Sequence, residues 1–196
     1  LLTGGSGRLG RELQTLLPEI VAPSRSELDL TQSEQIQAAL TRYAPDALVH
    51  AAAYTDVAGA ERERERCWRV NVGGTRALVR AALERGLPVV HISTDYVFPG
   101  DRGRYREDEP PGPARNHYAL SKLVAEELVR LLPKFLILRT SFRPREWPYD
   151  NAFADVFTSQ DYVDVIAPEI ALALRNLADI PFDTLHIATE RKSVFE

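Results

Sequence analysis

A chain of 196 residues, 44% hydrophobic and 27% charged, is long enough for one buried core and too apolar for a disordered segment. Its 24 basic and 28 acidic residues leave a net charge of −4, with no basic excess for nucleic acid or an anionic membrane surface. The single cysteine, Cys67, rules out an internal disulfide and a cysteine metal cluster, and no apolar run nears the roughly 20 residues of a membrane helix. No signal peptide is visible, so the cytoplasm is the expected compartment.

The chain has no methionine and opens on Leu1, directly before a glycine cluster. It stops at Glu196, just after Arg191, Lys192 and Ser193, where a helix is expected to begin. A short first strand and a last helix are therefore expected to be cut short.

Gly4, Gly7 and Gly10 follow the end of an apolar strand and open a helix with the stripe Leu9, Leu13, Leu16 and Leu17. A glycine at the first position permits a tight turn. The second lets backbone approach a pyrophosphate, and the third lets the helix pack against the sheet. Free N–H groups of the first turn, around Ser6, Gly7 and Arg8, then face the phosphates. No Gly-Lys-Ser/Thr follows, which disfavours a nucleoside triphosphate loop.

The next apolar strand is expected to end at Ile20-Val-Ala-Pro-Ser24-Arg25. A ribose hydroxyl usually meets an acid there. Ser24 and Arg25 offer a hydroxyl and a guanidinium instead, which favours NADPH over NADH. Asp29 and Leu30 fall where an adenine edge could be read. Thr31-Gln-Ser-Glu34 reads as a capping box opening a helix that buries Ile36, Leu40 and Tyr43. Asp46 to Ala52 is a buried strand. Thr75 to Arg85 is a helix with Leu78, Ala82 and Leu83 on one side, closed by Gly86. Leu87 to Ile92 is another strand, Tyr118 to Leu132 a helix stopped by Pro133, and Phe135 to Arg139 a strand. Short strands alternating with helices predict an α/β fold, a Rossmann-type doubly wound parallel sheet.

Residues 99–117 carry four prolines and three glycines and read as a long loop. After Thr140 the pattern degrades. Residues 142–164 show no period, Val165 to Leu177 is helical and Thr184 to Ala188 is a short strand. Residues 1–141 are expected to form the NAD(P)-binding unit. Residues 142–196 are expected to form a small, abbreviated substrate-side part interleaved with it.

Tyr118 and Lys122 stand at i and i+4 on one helix face, 24 residues after a strand ending in Ser93 and Thr94. A lysine ammonium beside a phenol lowers its pKa. A tyrosine so tuned can give a proton to a carbonyl oxygen as hydride arrives at carbon, while a hydroxyl of Thr94 or Ser93 holds that oxygen.

The combination resembles the extended short-chain dehydrogenase/reductases, and more closely their dTDP-4-dehydrorhamnose reductase branch. The matching strings run Thr3 to Gly10, Ser26 to Thr31, His50 to Asp56, Val70-Asn71, His91 to Phe98, Tyr118 to Lys122 and Leu138 to Ser141. The resemblance implies that Gly4, Gly7, Arg8 and Leu9 line the pyrophosphate. Ala51, Ala52 and Ala53 would lie along the adenosine half. Tyr118 would be the proton donor, Lys122 would hold the nicotinamide ribose and Thr94 would orient the carbonyl. Tyr54, Asp95 and Tyr96 would face the sugar. The related dehydratases carry an acid where Tyr96 stands, which disfavours elimination of water. The implied activity is NADPH-preferring reduction of a keto group, the 4-keto group of a nucleotide-linked deoxysugar, in dTDP-rhamnose biosynthesis.

Two departures stand out. Phe142 replaces the usual tryptophan, and residues 142–182 are shorter than the usual sugar-nucleotide half. Two other readings stay open: a non-catalytic dinucleotide-binding regulatory subunit, and an epimerase that retains NAD. Another small carbonyl substrate and a homodimer are left open as well.

The run Glu61 to Arg66 reads as a solvated helix face. The four histidines lack metal spacing. His50 and His91 read as satisfied core residues, and His117 has the one position from which it could touch a substrate. Cys67 reads as packing. Trp147 and Tyr149 line the substrate mouth or form a satellite core.

Overall fold

In the computed structural model the described residues are 1–147, 149–181 and 183–195. Pro148, Phe182 and Glu196 lie outside them, and so do the expectations that touch those three positions. The chain runs β1 (Leu2–Thr3), α1 (Arg8–Leu16), α2 (Ser33–Tyr43), β2 (Leu48–His50), α3 (Val57–Arg62) and α4 (Arg64–Trp68). A π-helical turn over Arg69–Gly74 leads into α5 (Thr75–Arg85). Then come β3 (Val89–Thr94), α6 (His117–Val129), β4 (Phe135–Thr140), β5 (Phe142–Arg143), β6 (Phe157–Thr158), β7 (Asp161–Tyr162), α7 (Val163–Arg175), β8 (Thr184–Ile187) and β9 (Lys192–Ser193).

One five-stranded sheet carries the order β1-β2-β3-β4-β8, and every pair in it is parallel. Successive strand residues point to opposite faces. Val90, Ile92, Leu136 and Leu138 pack with Leu9 and Leu13 of α1 and Ile166 and Ile170 of α7. Val89 and Ile137 pack on the other face with Ile36 and Leu40 of α2, Leu78 and Ala82 of α5 and Val129 of α6. Helices thus cover both faces, as a parallel sheet requires. The same alternation sends His91 and Ser93 toward α6. The sheet is the Rossmann-type arrangement expected from the alternating pattern.

Several local expectations are corrected. Ile20 to Pro23 forms no regular strand. Leu2 N–H bonds Val21 O at 2.8 Å, and Pro23 has no N–H to continue a ladder. The segment still flanks β1 on the side opposite β2, so the chain order reverses at β1, where ligands bind in such sheets. The capping box does not form, because α2 starts at Ser33 after Gln32 with no side-chain cap. The Thr31 hydroxyl donates instead to Asp29 Oδ1 at 2.7 Å, a carboxylate only two residues away. Leu83 is 54% exposed: five residues beyond buried Leu78, it has turned about 140° around α5.

The remaining differences are at element ends. Helix α6 ends at Val129, before Leu132, which is buried nonetheless. The described residues of 142–164 hold three two-residue strands, β5 paired with β7 in parallel and β6 with β9 antiparallel. Lys192–Ser193 is therefore a strand where a helix was expected to begin.

Candidate active site

The glycine loop lies between β1 and α1. Gly4 has φ +78°, and its N-terminal turn closes with Gly7 N–H donating to Gly4 O at 2.9 Å. A Cβ on Gly4 would stand 2.7 Å from Ala52 N, and one on Gly10 would stand 2.2 Å from Gly4 O. Both positions therefore admit only glycine: the first lets β1 approach the Ala51–Ala52 backbone, the second seats α1 on the loop. Gln14 Nε2 donates to Gly5 O at 2.8 Å and Gly10 O at 2.9 Å, locking the loop to the helix. Among the described residues no side chain caps the N-terminus of α1, so its first N–H groups stay available to an anion.

From this loop a cleft of about 750 Å³ runs across the carboxyl ends of the strands. Gly4, Ser6, Gly7, Arg8 and Leu9 line one end, with Arg25, Asp29, Leu30 and the Ala51–Ala53 backbone beside them. Tyr54, Ser93, Thr94, Tyr96, Tyr118 and Lys122 line the other. Ser24 and Asp95 do not line it. The Ser24 hydroxyl is exposed and donates to Glu27 Oε2 at 2.8 Å. Asp95 is exposed as a residue, but its carboxylate packs against neighbouring hydroxyls, accepting from Ser141 Oγ at 2.6 Å and Thr94 Oγ1 at 3.1 Å. Burial of the carboxyl group raises its pKa above the usual aspartate value, and those two hydrogen bonds oppose the rise.

Asn116 caps α6, its side chain accepting from Ala119 N–H at 2.8 Å, and this starts the helix one residue before Tyr118. Tyr118 is 8% exposed, and Tyr96 meets its ring edge-on with centroids 6.0 Å apart. Burial pushes the Tyr118 phenol above its ordinary pKa of 10, with the Thr94 hydroxyl opposing. This corrects the expected lysine effect. The i, i+4 spacing does bring both side chains to one face, but Lys122 Nζ, which also lines the cleft, makes its contacts with β3. It donates to Ile92 O at 2.8 Å and lies 3.2 Å from His91 Nε2. Burial lowers the Lys122 pKa to about 8, with Glu126 opposing.

Ser93 is also corrected as an anchor for a carbonyl oxygen. Its hydroxyl donates inward to Glu126 Oε1 at 2.5 Å. Glu126, 0% exposed, also receives Arg139 of β4, through Nε at 3.1 Å and Nη2 at 2.8 Å. This buried pair fastens α6 to β3 and β4 below the catalytic candidates. The mid-helix glutamate looks like one more solvated charge in sequence, and no local signal marked it.

A second buried chain was equally invisible. Thr3 Oγ1 and His50 Nδ1 lie 2.9 Å apart, and His50 Nε2 lies 2.9 Å from Thr75 Oγ1. Ala52 N–H bonds the same Thr3 hydroxyl at 3.2 Å. Asn71 accepts from Tyr54 N–H at 2.7 Å and donates to Ser121 Oγ at 2.9 Å. His50 is thus satisfied, whereas His91 leaves Nδ1 buried without a partner among the described residues.

His117, Trp147 and Tyr149 fall outside the cleft. His117 turns to Arg64 O, 3.0 Å away, and to the Trp68 ring. Trp147 and Tyr149 pack edge-to-face on each other. The charge run is exposed but not idle: Glu63 accepts from the Tyr54 hydroxyl at 3.0 Å and Glu61 from His117 N–H at 2.7 Å. Arg66, Phe142 and Gln160 are lining residues that sequence reading did not assign to the cleft.

The family model described as RmlD substrate binding domain matches residues 1–167. The dTDP-4-dehydrorhamnose reductase of Aggregatibacter actinomycetemcomitans is 37% identical over 181 residues, covering 87% of this chain and 60% of that protein. That of Streptomyces griseus is 41% identical over 149 residues, covering 72% and 49%. The chain thus spans about half to three fifths of the length of these relatives. A crystal structure of dTDP-4-dehydrorhamnose reductase from Bacillus anthracis in complex with NADP superposes with a TM-score of 0.85 at 32% identity, covering 98% of this chain and 75% of that one.

Proposed function

The chain belongs to the RmlD substrate binding domain family, and we propose that it is an NADPH-preferring reductase of a keto group, the 4-keto group of a nucleotide-linked deoxysugar. One observation carries this reading. A glycine loop with an uncapped helix N-terminus and the Thr94, Tyr118 and Lys122 side chains share one continuous cleft. The glycine cradle supports a dinucleotide, since a Cβ at Gly4 or Gly10 would fill space the backbone itself occupies. Gly4, Ser6, Gly7, Arg8 and Leu9 would hold the pyrophosphate, and Arg25, Asp29, Leu30 and Ala51–Ala53 the adenosine half. Lys122 would hold the nicotinamide ribose, and Ser93 would flank it.

A bound reduced nicotinamide supplies the hydride that makes the carbonyl carbon an alcohol carbon. Tyr118 supplies the proton for the carbonyl oxygen. The phenol is protonated at neutral pH, as an ordinary tyrosine is, which is the form a general acid needs. Thr94, at the end of β3, orients that oxygen, while Tyr54, Asp95 and Tyr96 face the sugar. Residues 1–141 serve the cofactor and residues 142–196 the substrate side. The cytoplasmic setting belongs to the same proposal and agrees with a lone, buried, free Cys67.

The test is oxidation of NADPH by a dTDP-4-keto-6-deoxyhexose, followed by absorbance. Tyr118→Phe is expected to lower kcat about 10²–10⁴-fold while NADPH still binds. A variant that reduces the keto sugar as fast as the parent rules the mechanism out.

A further inference from the structure

Lys122 is buried, and four residues further along α6 stands Glu126, the carboxylate that helix spacing would pair with it. That pair does not form. Glu126 is taken by the Ser93 hydroxyl and by Arg139, and Lys122 makes no ion pair among the described residues. Its Nζ meets two neutral acceptors of β3 instead, Ile92 O at 2.8 Å and His91 Nε2 at 3.2 Å. An ammonium has three N–H donors. Two are fixed on β3, and the third is left for the cleft that Lys122 lines.

His91 is a costly residue for a place that only needs filling. It is 1% exposed, and its Nδ1 has no partner among the described residues. A leucine would fill the space with no ring nitrogen to desolvate. An ammonium can only donate, so Nε2 carries the lone pair and the ring proton sits on Nδ1. Burial, then the Lys122 charge and His50, hold the His91 pKa well below the usual histidine range, so the ring stays neutral and stays an acceptor. The titratable groups around the ammonium are Tyr118 and Glu126 on its own helix, Cys67 of α4, His91 of β3 and His50 of β2. Of these only Glu126 is an anion at neutral pH, and Arg139 already meets it.

We infer that His91 is a positioning residue: its neutral imidazole and the Ile92 carbonyl fix the Lys122 ammonium on β3 and aim its remaining N–H into the cleft, with the charge left uncancelled. A carboxylate in the place of His91 would anchor the lysine equally well and neutralise it. That the aimed N–H serves a nicotinamide ribose rests on the reductase reading above, whereas the anchoring by His91 does not. The two residues lie 31 positions apart, so in sequence His91 reads as a core histidine.

The chain has three lysines, Lys122, Lys134 and Lys192, so NMR of isotope-labelled lysine side chains can follow the titration of Lys122, assigned with Lys122→Arg. The parent is compared with His91→Leu, His91→Asn and His91→Gln. A glutamine oxygen reaches the place of Nε2, whereas an asparagine amide reaches only that of Nδ1. His91→Leu and His91→Asn should lower the Lys122 pKa from about 8 by about one to two pH units, as loss of a hydrogen bond to a charged group does, and His91→Gln should restore most of it. A merely structural role has the opposite sign, because a loosened core admits water and lets the pKa rise toward the ordinary lysine value. A Lys122 pKa that stays or rises in His91→Leu, or a His91→Gln shifted as far as His91→Asn, overturns the inference. Should His91→Leu not fold, the comparison of Asn with Gln decides alone. Calorimetric titration then checks the aim into the cleft: NADP⁺ should bind about tenfold more weakly to His91→Asn and recover in His91→Gln. Unchanged NADP⁺ affinity beside a lowered Lys122 pKa overturns the aim. A parent chain that binds no NADP⁺ overturns the reductase reading, while the Lys122 titration still decides the anchoring by His91.

Discussion

Replacing Glu126 with glutamine keeps the side chain's volume and removes its charge. Arg139 is 2% exposed and would keep at most a neutral amide oxygen in place of the carboxylate it meets at 2.8 Å, beside His186 Nε2 at 3.4 Å and the Phe98 ring at 4.9 Å. An uncompensated buried charge costs about 3–5 kcal/mol. For a chain of this size about 2–4 °C is lost per kcal/mol, so Tm should fall by roughly 6–20 °C. Urea unfolding followed by the fluorescence of Trp68 and Trp147 gives the free energy directly, with the m-value unchanged if the native state keeps its compactness. Glu126→Met with Arg139→Met removes both charges together and should cost less than half of the two single changes summed, because no lone ion remains. A Glu126→Gln cost under about 1 kcal/mol, or a double variant as costly as that sum, would refute the view that the desolvation cost of each buried charge is offset by its contact with the other.

Gly10→Ala places a Cβ against the backbone of Gly4 and Gly5, which has no flexible end to give way. It should lose about 1–3 kcal/mol of stability and most NADP⁺ affinity. Gly73→Ala, where a Cβ meets nothing within 4 Å, should be neutral or stabilising by about 0.5–1 kcal/mol; a parent-like Gly10→Ala in melts and titrations contradicts the loop geometry. His50 is buried with its pKa lowered from 6.5 to about 3, chiefly by burial and then by the Lys122 charge. Below pH 6.5 the unfolded chain takes up a proton that the folded chain refuses, so stability should fall by about 1.4 kcal/mol per pH unit from this group as acid is added. His91 acts in the same direction. His50→Gln should flatten that slope by one proton, and an unchanged slope would show that His50 is protonated in the native state.

How far the sequence reached depends on how local each feature is. The glycine loop, the Leu9–Leu13–Leu17 stripe, Gly86 at φ +65° and the Tyr118–Lys122 spacing all depend on backbone freedom or helical period within a few residues. Those are written in the chain itself, and so was the alternation of short strands and helices that yields a parallel sheet. Where two local signals compete, the outcome was already less legible: Thr31 could cap α2 or bond Asp29, and the nearer carboxylate took it.

What the tertiary structure alone decided concerns where charged and hydroxyl groups turn once distant segments meet. Lys122 turns to Ile92 O, Ser93 to Glu126 and Arg139 to the same carboxylate, across 30, 33 and 13 positions. Each choice follows from burial, because a desolvated donor or ion takes whichever partner the packing brings within reach. Spacing along one chain carries no record of that partner, whereas glycine turns and helical stripes need none beyond their own neighbours.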